Sequence, residues 1–259
     1  MIFSITHPQS GRTSYLMGTM HSQDGRAFRY FETAQNLISA CEMYAPEMNL
    51  LEVDTHRLKE AFTLPPELYL DRVWRPKKYQ RYRDICLKCF GIDLAGLNDS
   101  APIYIQGMMM AVSLGRENNI SLDQALLFYA RDCGLLIQGV ETPEEQYHIA
   151  RQLDAEEQIR QLSMVLSRPD RFRQQANRLC DLYANNELAA LYKSGKRSLG
   201  AFRQILLYDR NQVMAQRIFE KTADKKVFVA IGAAHLPGAK GVLRGLKQLG
   251  CMIGPAHSY

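Results

Sequence analysis

Apolar and polar positions alternate with two different periods along this chain, and the periods divide it into a sheet-forming framework and a helical middle. Residues 2–6 and 14–18 are short β-prone runs separated by "HPQSGRT", where Pro8 and Gly11 predict the turn of an N-terminal hairpin. In "AFRYFETAQNLISACEM", Phe28, Phe31, Ala34 or Gln35, and Ile38 recur at helical spacing. "YAPEMNLLEVD" reads as a short strand kinked at Pro46. From about residue 56 to 196 the pattern is mainly helical. "PKKYQRYRDICLKCFG" and "LDQALLFYARDCG" both stop at glycine, as helices often do. "LLIQGVE" is a strand candidate that runs into "TPEEQ", where Thr142, Pro143 and Glu145 have the chemistry of a helix start. "RFRQQANRLCDLYANNELAALYKSGK" predicts one long helix closing at Gly195.

The last sixty residues are the most readable. "YDRNQVMAQRIFEKT" is a helix with Asp209 and Gln212 as its capping pair. "KVFVAIG" is an unbroken apolar run, the mark of a strand covered on both faces. "PGAKGVLRGLKQLG" is a short amphipathic helix and "CMIGPA" a further strand, so the segment is a β-α-β unit. No other internal repeat, low-complexity stretch or linker interrupts the chain.

Within this frame one pattern occurs twice. "YLMGTMH" and "VAIGAAH" each follow an apolar run with glycine and then, three residues after it, histidine: Gly18 with His21, and Gly232 with His235. Ligands of β-α-β units gather beyond the carboxyl ends of the strands, and each histidine falls just there. If the two strands are neighbours, both imidazoles converge, to hold a divalent metal or to divide acid and base roles. Glycine at such a place lets the chain turn or lets another group come close. Two carboxylates stand at comparable positions, Glu47 in "YAPEMNL" and Glu141 in "IQGVET". On the residues alone, the better reading is that Glu47 is merely solvated and Glu141 belongs to a helix-start hydrogen-bond set.

Composition changes this picture little. With 259 residues, 46% hydrophobic and 23% charged, the chain has the make-up of an ordinary globular protein. A net charge of +5 without a Lys/Arg block gives no reason to expect nucleic acid. Six scattered cysteines read as reduced thiols, and with no secretory leader or span-length apolar run in the sequence, a cytoplasmic location without a membrane span is expected.

The order GxxH, glutamate, "GVETPEEQ", "YDRNQVMAQRI" and "VFVAIGAAHLPG" resembles the TraB/GumN-like family. Its animal branch contains the Tiki metalloproteases, and it is remotely similar to erythromycin-esterase and ChaN-type haem-binding proteins. The resemblance implies a single α/β domain over residues 1–259: a central mixed β-sheet flanked by helices, with a large helical insertion at about 56–200 over the strand ends. It further implies a divalent-metal hydrolase site with His21, Glu47 and His235 as ligands and with Glu47, Glu141 and Arg210 as catalytic groups. Gly18, Asn211 and Gly232 match the motif positions lining the cleft.

On this reading a metal-bound water, acidified from a pKa of 15.7 toward about 7, attacks a peptide or ester carbonyl. Glu141 or Glu47 takes the proton, and Arg210 neutralises the oxyanion or holds a substrate carboxylate. Nitrogen and oxygen ligands suit zinc, manganese or cobalt, and the resemblance favours manganese or cobalt. Pro46 before Glu47 suits only an edge or bulge; if the strand bends there, Glu52 or Asp54 is the carboxylate that reaches the site. The alternatives are a non-catalytic cleft for haem, a peptide or a small molecule, and a metal-free His/Glu esterase.

Other features carry less. Cys86 and Cys89 have the spacing of half a zinc site, but no second pair lies near, so packing explains them better. "RPKKYQRYR" reads as a solvated helix face, and "MMMAVSL" as core. His7, His56, His148 and His257 share no common context.

Overall fold

The hairpin strands β1 (Ile2–Thr6) and β2 (Thr13–Thr19) pair antiparallel, with Ile2 opposite Met17. β3 (Met43–Pro46), β4 (Leu136–Ile137), β5 (Val227–Gly232) and β6 (Met252–Pro255) complete one six-stranded mixed sheet in the order β4-β3-β5-β2-β1-β6. The structure is a computed structural model describing residues 1–256. His257 lies outside the described residues.

The α/β fold class expected from the sequence is the one observed. β5 is central, parallel to both β2 and β3, and its side chains alternate between two apolar layers. Val227, Val229 and Ile231 pack with Met214, Ile218 and Leu246 of helices Asp209–Asp224 and Val242–Gln248. Phe228 and Ala230 face Ile38 and Leu126 of helices Phe31–Ser39 and Leu122–Asp132. Burial on both faces is why this strand reads as a continuous apolar run. β5, helix Val242–Gln248 and β6 do form a β-α-β unit, although β2 and β1 lie between its two strands.

The chain divides into two compact units. The sheet, with residues 1–53, 116–143 and the chain from Leu179 on, is one. The other, Asp54–Gly115 with Glu144–Arg178, is helical around its own core of Leu70, Trp74, Cys86, Ile105, Met109 and Leu162. The helical stretch expected at about 56–200 is thus two segments, and residues 116–143 and 179–200 belong with the sheet.

Three local expectations need correction. The predicted long helix breaks into Pro169–Ala184 and Leu188–Leu199, because Asn186 adopts a left-handed conformation (φ 58°) that asparagine tolerates better than most residues. The second helix runs through Gly195 and ends at Gly200. Asp209 does not cap its helix: a π-helical turn, Gln204–Tyr208, leads straight into Asp209–Asp224, and Asp209 instead accepts a hydrogen bond from the Gln204 side chain. The strand candidate at 135–141 is a regular strand only at Leu136–Ile137; beyond it, single bonds from Gln138, Val140 and Glu141 N–H to Tyr44, Pro46 and Glu47 O carry the pairing on to the bridge between Met48 and Glu141.

Candidate active site at the carboxyl edge of the sheet

β2 and β5 are parallel neighbours, with Gly18 opposite Ile231 and Thr19 opposite Gly232. The two GxxH motifs therefore leave the same sheet edge one residue out of step. Each glycine makes room for the other parts of the site. A Cβ on Gly18 would fall 2.8 Å from Leu236 Cδ1 and 3.0 Å from Ala233 Cα, in the turn that carries the second motif. A Cβ on Gly232 would fall 3.3 Å from Glu47 Oε2 and 3.4 Å from the His235 ring. Side chains in either place would push apart the turn and the carboxylate.

Glu47 reaches this edge from β3. Its N–H donates to Ala230 O at 2.7 Å, so the ladder continues past Pro46. The Pro46 carbonyl faces the other way and accepts Val140 N–H at 2.8 Å, which puts the proline's missing N–H on the side of the two-residue strand β4, where few ladder bonds are forgone. The strand does not bend away. Glu52 is exposed and accepts from the Asn49 side chain, and Asp54 caps helix Thr55–Ala61.

Both Glu47 oxygens have partners. Oε1 accepts from Arg210 Nη2 at 2.5 Å and Oε2 from Gly232 N–H at 2.8 Å. Arg210 also grips Glu141, through Nε to Oε1 at 3.0 Å and Nη2 to Oε2 at 2.6 Å, while its Nη1 donates to Leu206 O at 3.3 Å. Glu141, placed by the bond from its N–H to Glu47 O at 2.9 Å, has a side chain only 3% exposed; Arg210 is 13% exposed. Burial works against the Glu47 carboxylate, but the Arg210 charge and the Gly232 N–H outweigh it and hold its pKa down at about 2. Glu47 is an anion at any ordinary pH.

His235, at the end of the short 3-10 turn after β5, is buried. Its Nδ1 stands 2.6 Å from Asn211 Oδ1. The Asn211 amide nitrogen donates to Lys240 O at 2.8 Å, which fixes the amide with its oxygen toward the ring. The His235 proton therefore sits on Nδ1 and the Nε2 lone pair is free. Nε2 faces Glu47 Oε2 at 4.0 Å. Burial lowers the His235 pKa to about 4, so the ring is neutral near pH 7.

His21 differs in every respect. Its side chain is 70% exposed, and its Nδ1 lies 3.4 Å from Asp123 Oδ2. Asp123, near the start of helix Leu122–Asp132, also accepts from Thr19 Oγ1 at 2.7 Å. The neighbouring Asp123 carboxylate raises the His21 pKa against partial desolvation, and the Glu47 charge adds to the rise. The structure thus brings Glu47, Glu141, Arg210, Asn211, Gly232 and His235 into one connected network, with His21 on the same sheet edge beside it. Asp123 and Thr19 escaped the sequence reading; Thr19 lies inside the first GxxH motif, and the spacing of Asp123 from it, across a hundred residues, carries no signal.

The donor chemistry tests the expected divalent ion. Bonds of about 2.1 Å would hold neighbouring ligand atoms roughly 3.0 Å (octahedral) to 3.4 Å (tetrahedral) apart, whereas His235 Nε2 and Glu47 Oε2 are 4.0 Å apart. Among the described residues no three His, Cys, Asp or Glu side chains are grouped closely enough to hold a metal ion. As placed, these donors do not fit a three-ligand site. A cavity of about 420 Å³ shares Asn211 with this network but is lined instead by Tyr208, Gln212, Lys240 and Gly245, not by Glu47 or His235.

The fold and site define an α/β protein with a histidine–carboxylate centre at the carboxyl edge of a mixed sheet. Residues 1–254 match the model of the TraB/PrgY/gumN family, and the chain belongs to that family. No curated protein and no solved structure matches it. Among the described residues no helix is long and apolar enough to cross a membrane.

Proposed function

We propose that the protein is a hydrolase of peptide or ester bonds in which His235, oriented by Asn211 and backed by Glu47, activates water. One observation carries this reading: His235 Nε2 and Glu47 Oε2 face each other across 4.0 Å, with the other ring nitrogen of His235 held by Asn211. A single water with hydrogen bonds of about 2.8 Å to each fits that gap and turns its remaining lone pairs outward. As the water oxygen attacks the carbonyl carbon, one of its protons passes to His235 Nε2. The imidazolium formed is stabilised by Glu47 and by the Asn211 oxygen. The acyl–leaving-group bond then breaks, and Nε2 returns the proton to the departing nitrogen or oxygen.

Arg210 holds the two carboxylates in place. With its donors committed to Glu47, Glu141 and Leu206, it serves positioning rather than oxyanion binding. His21, exposed at the same edge, is the group that meets the substrate.

A divalent ion, manganese or cobalt before zinc, is the second reading. It is favoured by the charge of the network, two carboxylates against one guanidinium, which leaves a net negative charge beside the His235 lone pair. Hydrolysis of a panel of short peptides and nitrophenyl esters by the wild type and by His235→Gln tests the proposal. Turnover in the wild type that falls by about a thousandfold in the variant supports it; intact ligand bound without turnover would instead make the site a binding cleft.

A further inference from the structure

The two motif histidines are held in the same way by different partners. Each has its Nδ1 directed at a side-chain oxygen: an amide oxygen for His235 and a carboxylate oxygen for His21. The second pairing has its own logic. Asp123 Oδ1 is occupied by Thr19 Oγ1 at 2.7 Å, whereas Oδ2 is buried and has no hydrogen-bond partner in the resting arrangement. Leaving a buried carboxylate oxygen unpaired is costly. His21 Nδ1 stands 3.4 Å from it, a separation that a small turn of an exposed ring closes.

Thr19 ends β2 and His21 follows two residues later, and both side chains address Asp123. Helix Leu122–Asp132 is itself fixed at this end by a capping box, with Ser121 Oγ accepting from Gln124 N–H and Gln124 Oε1 from Ser121 N–H at 3.0 Å. The carboxylate is therefore presented from a rigid support.

We propose that Asp123 is the positioning residue of His21: its free oxygen holds the Nδ1 proton, aims the ring, and makes Nε2 the atom that the first GxxH motif offers to the substrate. Thr19 orients the carboxylate from its other oxygen. The chain thereby carries two oriented imidazoles, one backed by Asn211 and one by Asp123. The kinetic part of this inference rests on the hydrolase reading above; the structural part does not.

Two readouts separate them. The first is the nitrogen-15 spectrum of the histidines at a pH alkaline enough for His21 to be neutral, which reports the ring nitrogen carrying the proton. The wild type shows the proton on Nδ1. In Asp123→Asn the Thr19 bond is retained, the amide nitrogen faces the ring, and the proton moves to Nε2. A wild-type proton on Nε2, or a tautomer unchanged in Asp123→Asn, overturns the proposal whether or not the protein hydrolyses anything.

The second is a double-mutant cycle on turnover. Asp123→Ala lowers kcat about tenfold to a hundredfold with KM little changed in the wild type, and has no further effect in His21→Ala. An equal loss in both backgrounds means that Asp123 acts on the fold alone and overturns the proposal. If the wild type turns over no substrate, the hydrolase reading has failed and the spectrum alone decides.

Discussion

Asn211 Oδ1 stands 2.6 Å from His235 Nδ1 while the same amide donates to Lys240 O, so one asparagine fixes both the direction and the tautomer of a buried histidine. Asn211→Leu removes the acceptor and leaves the buried Nδ1–H and the Lys240 carbonyl unpaired. A loss of about 1–3 kcal/mol in denaturant unfolding is expected, with turnover lower by a hundredfold or more. Retention of full turnover would mean that the ring is held by something else.

Arg210 is flanked by two carboxylates, one of them almost wholly buried. Arg210→Met strands that charge and is expected to cost about 3–5 kcal/mol. Arg210→Lys restores charge but not the planar fork that bridges both glutamates, so it recovers only part of the loss. Urea unfolding of the two variants beside the wild type checks the order.

Gly18 is predicted to reject alanine where Gly107 accepts it. The added methyl at Gly18 meets Leu236 and the Ala233 backbone, and about 1–3 kcal/mol of destabilisation is expected. Gly107, within helix Pro102–Val112, has nothing within 4 Å of its added Cβ. Its alanine variant gains about 0.5–1 kcal/mol from helix propensity. Paired thermal melts distinguish the two outcomes.

Acidification removes stability through His235 and then through Glu47. The His235 pKa is lower folded than unfolded, so below about 6.5 the unfolded chain binds a proton that the folded chain excludes; stability falls from there down to about pH 4. Glu47 contributes stability above the unfolded carboxylate range, and that contribution is lost as pH falls toward about 2. His21 opposes the first effect, because its pKa is raised: its contribution is present in acid and lost as pH rises through the folded value. His235→Gln is expected to flatten the decline between pH 6.5 and 4 while leaving the steeper loss below it. An unaltered profile would mean that His235 is already charged in the folded protein.

The sheet was legible because its strands advertise their surroundings. β5 is apolar at every position because both of its faces are covered, and the hairpin carries its turn chemistry in Pro8 and Gly11. At 135–141 regular strand geometry ends after Ile137, although Gln138, Val140 and Glu141 N–H still bond the carbonyls of Tyr44, Pro46 and Glu47. The helix break at Asn186 was hidden because periodicity persists on both sides of a single left-handed residue. At the candidate site, the repeated GxxH spacing pointed to the sheet edge where Glu47, Arg210 and His235 meet, and Glu47 stayed in register past Pro46 because the missing N–H falls on the side of the shortest strand. What the sequence could not carry was partnership. The clamp of Arg210 on two glutamates, the Asn211–His235 bond and the Asp123–His21 pairing join residues 24 to 163 positions apart, and only the folded sheet edge brings them together.

The most direct test of metal-free water activation by His235 and Glu47 is turnover by chelator-stripped protein, followed by elemental analysis as manganese, cobalt or zinc is added back. Retained turnover in the stripped protein, independent of metal content and abolished by His235→Gln, is the result predicted. Turnover that returns only as one ion per chain is bound, and that is lost together with the ion in both His21→Ala and His235→Ala, would contradict it and establish the two histidines as ligands.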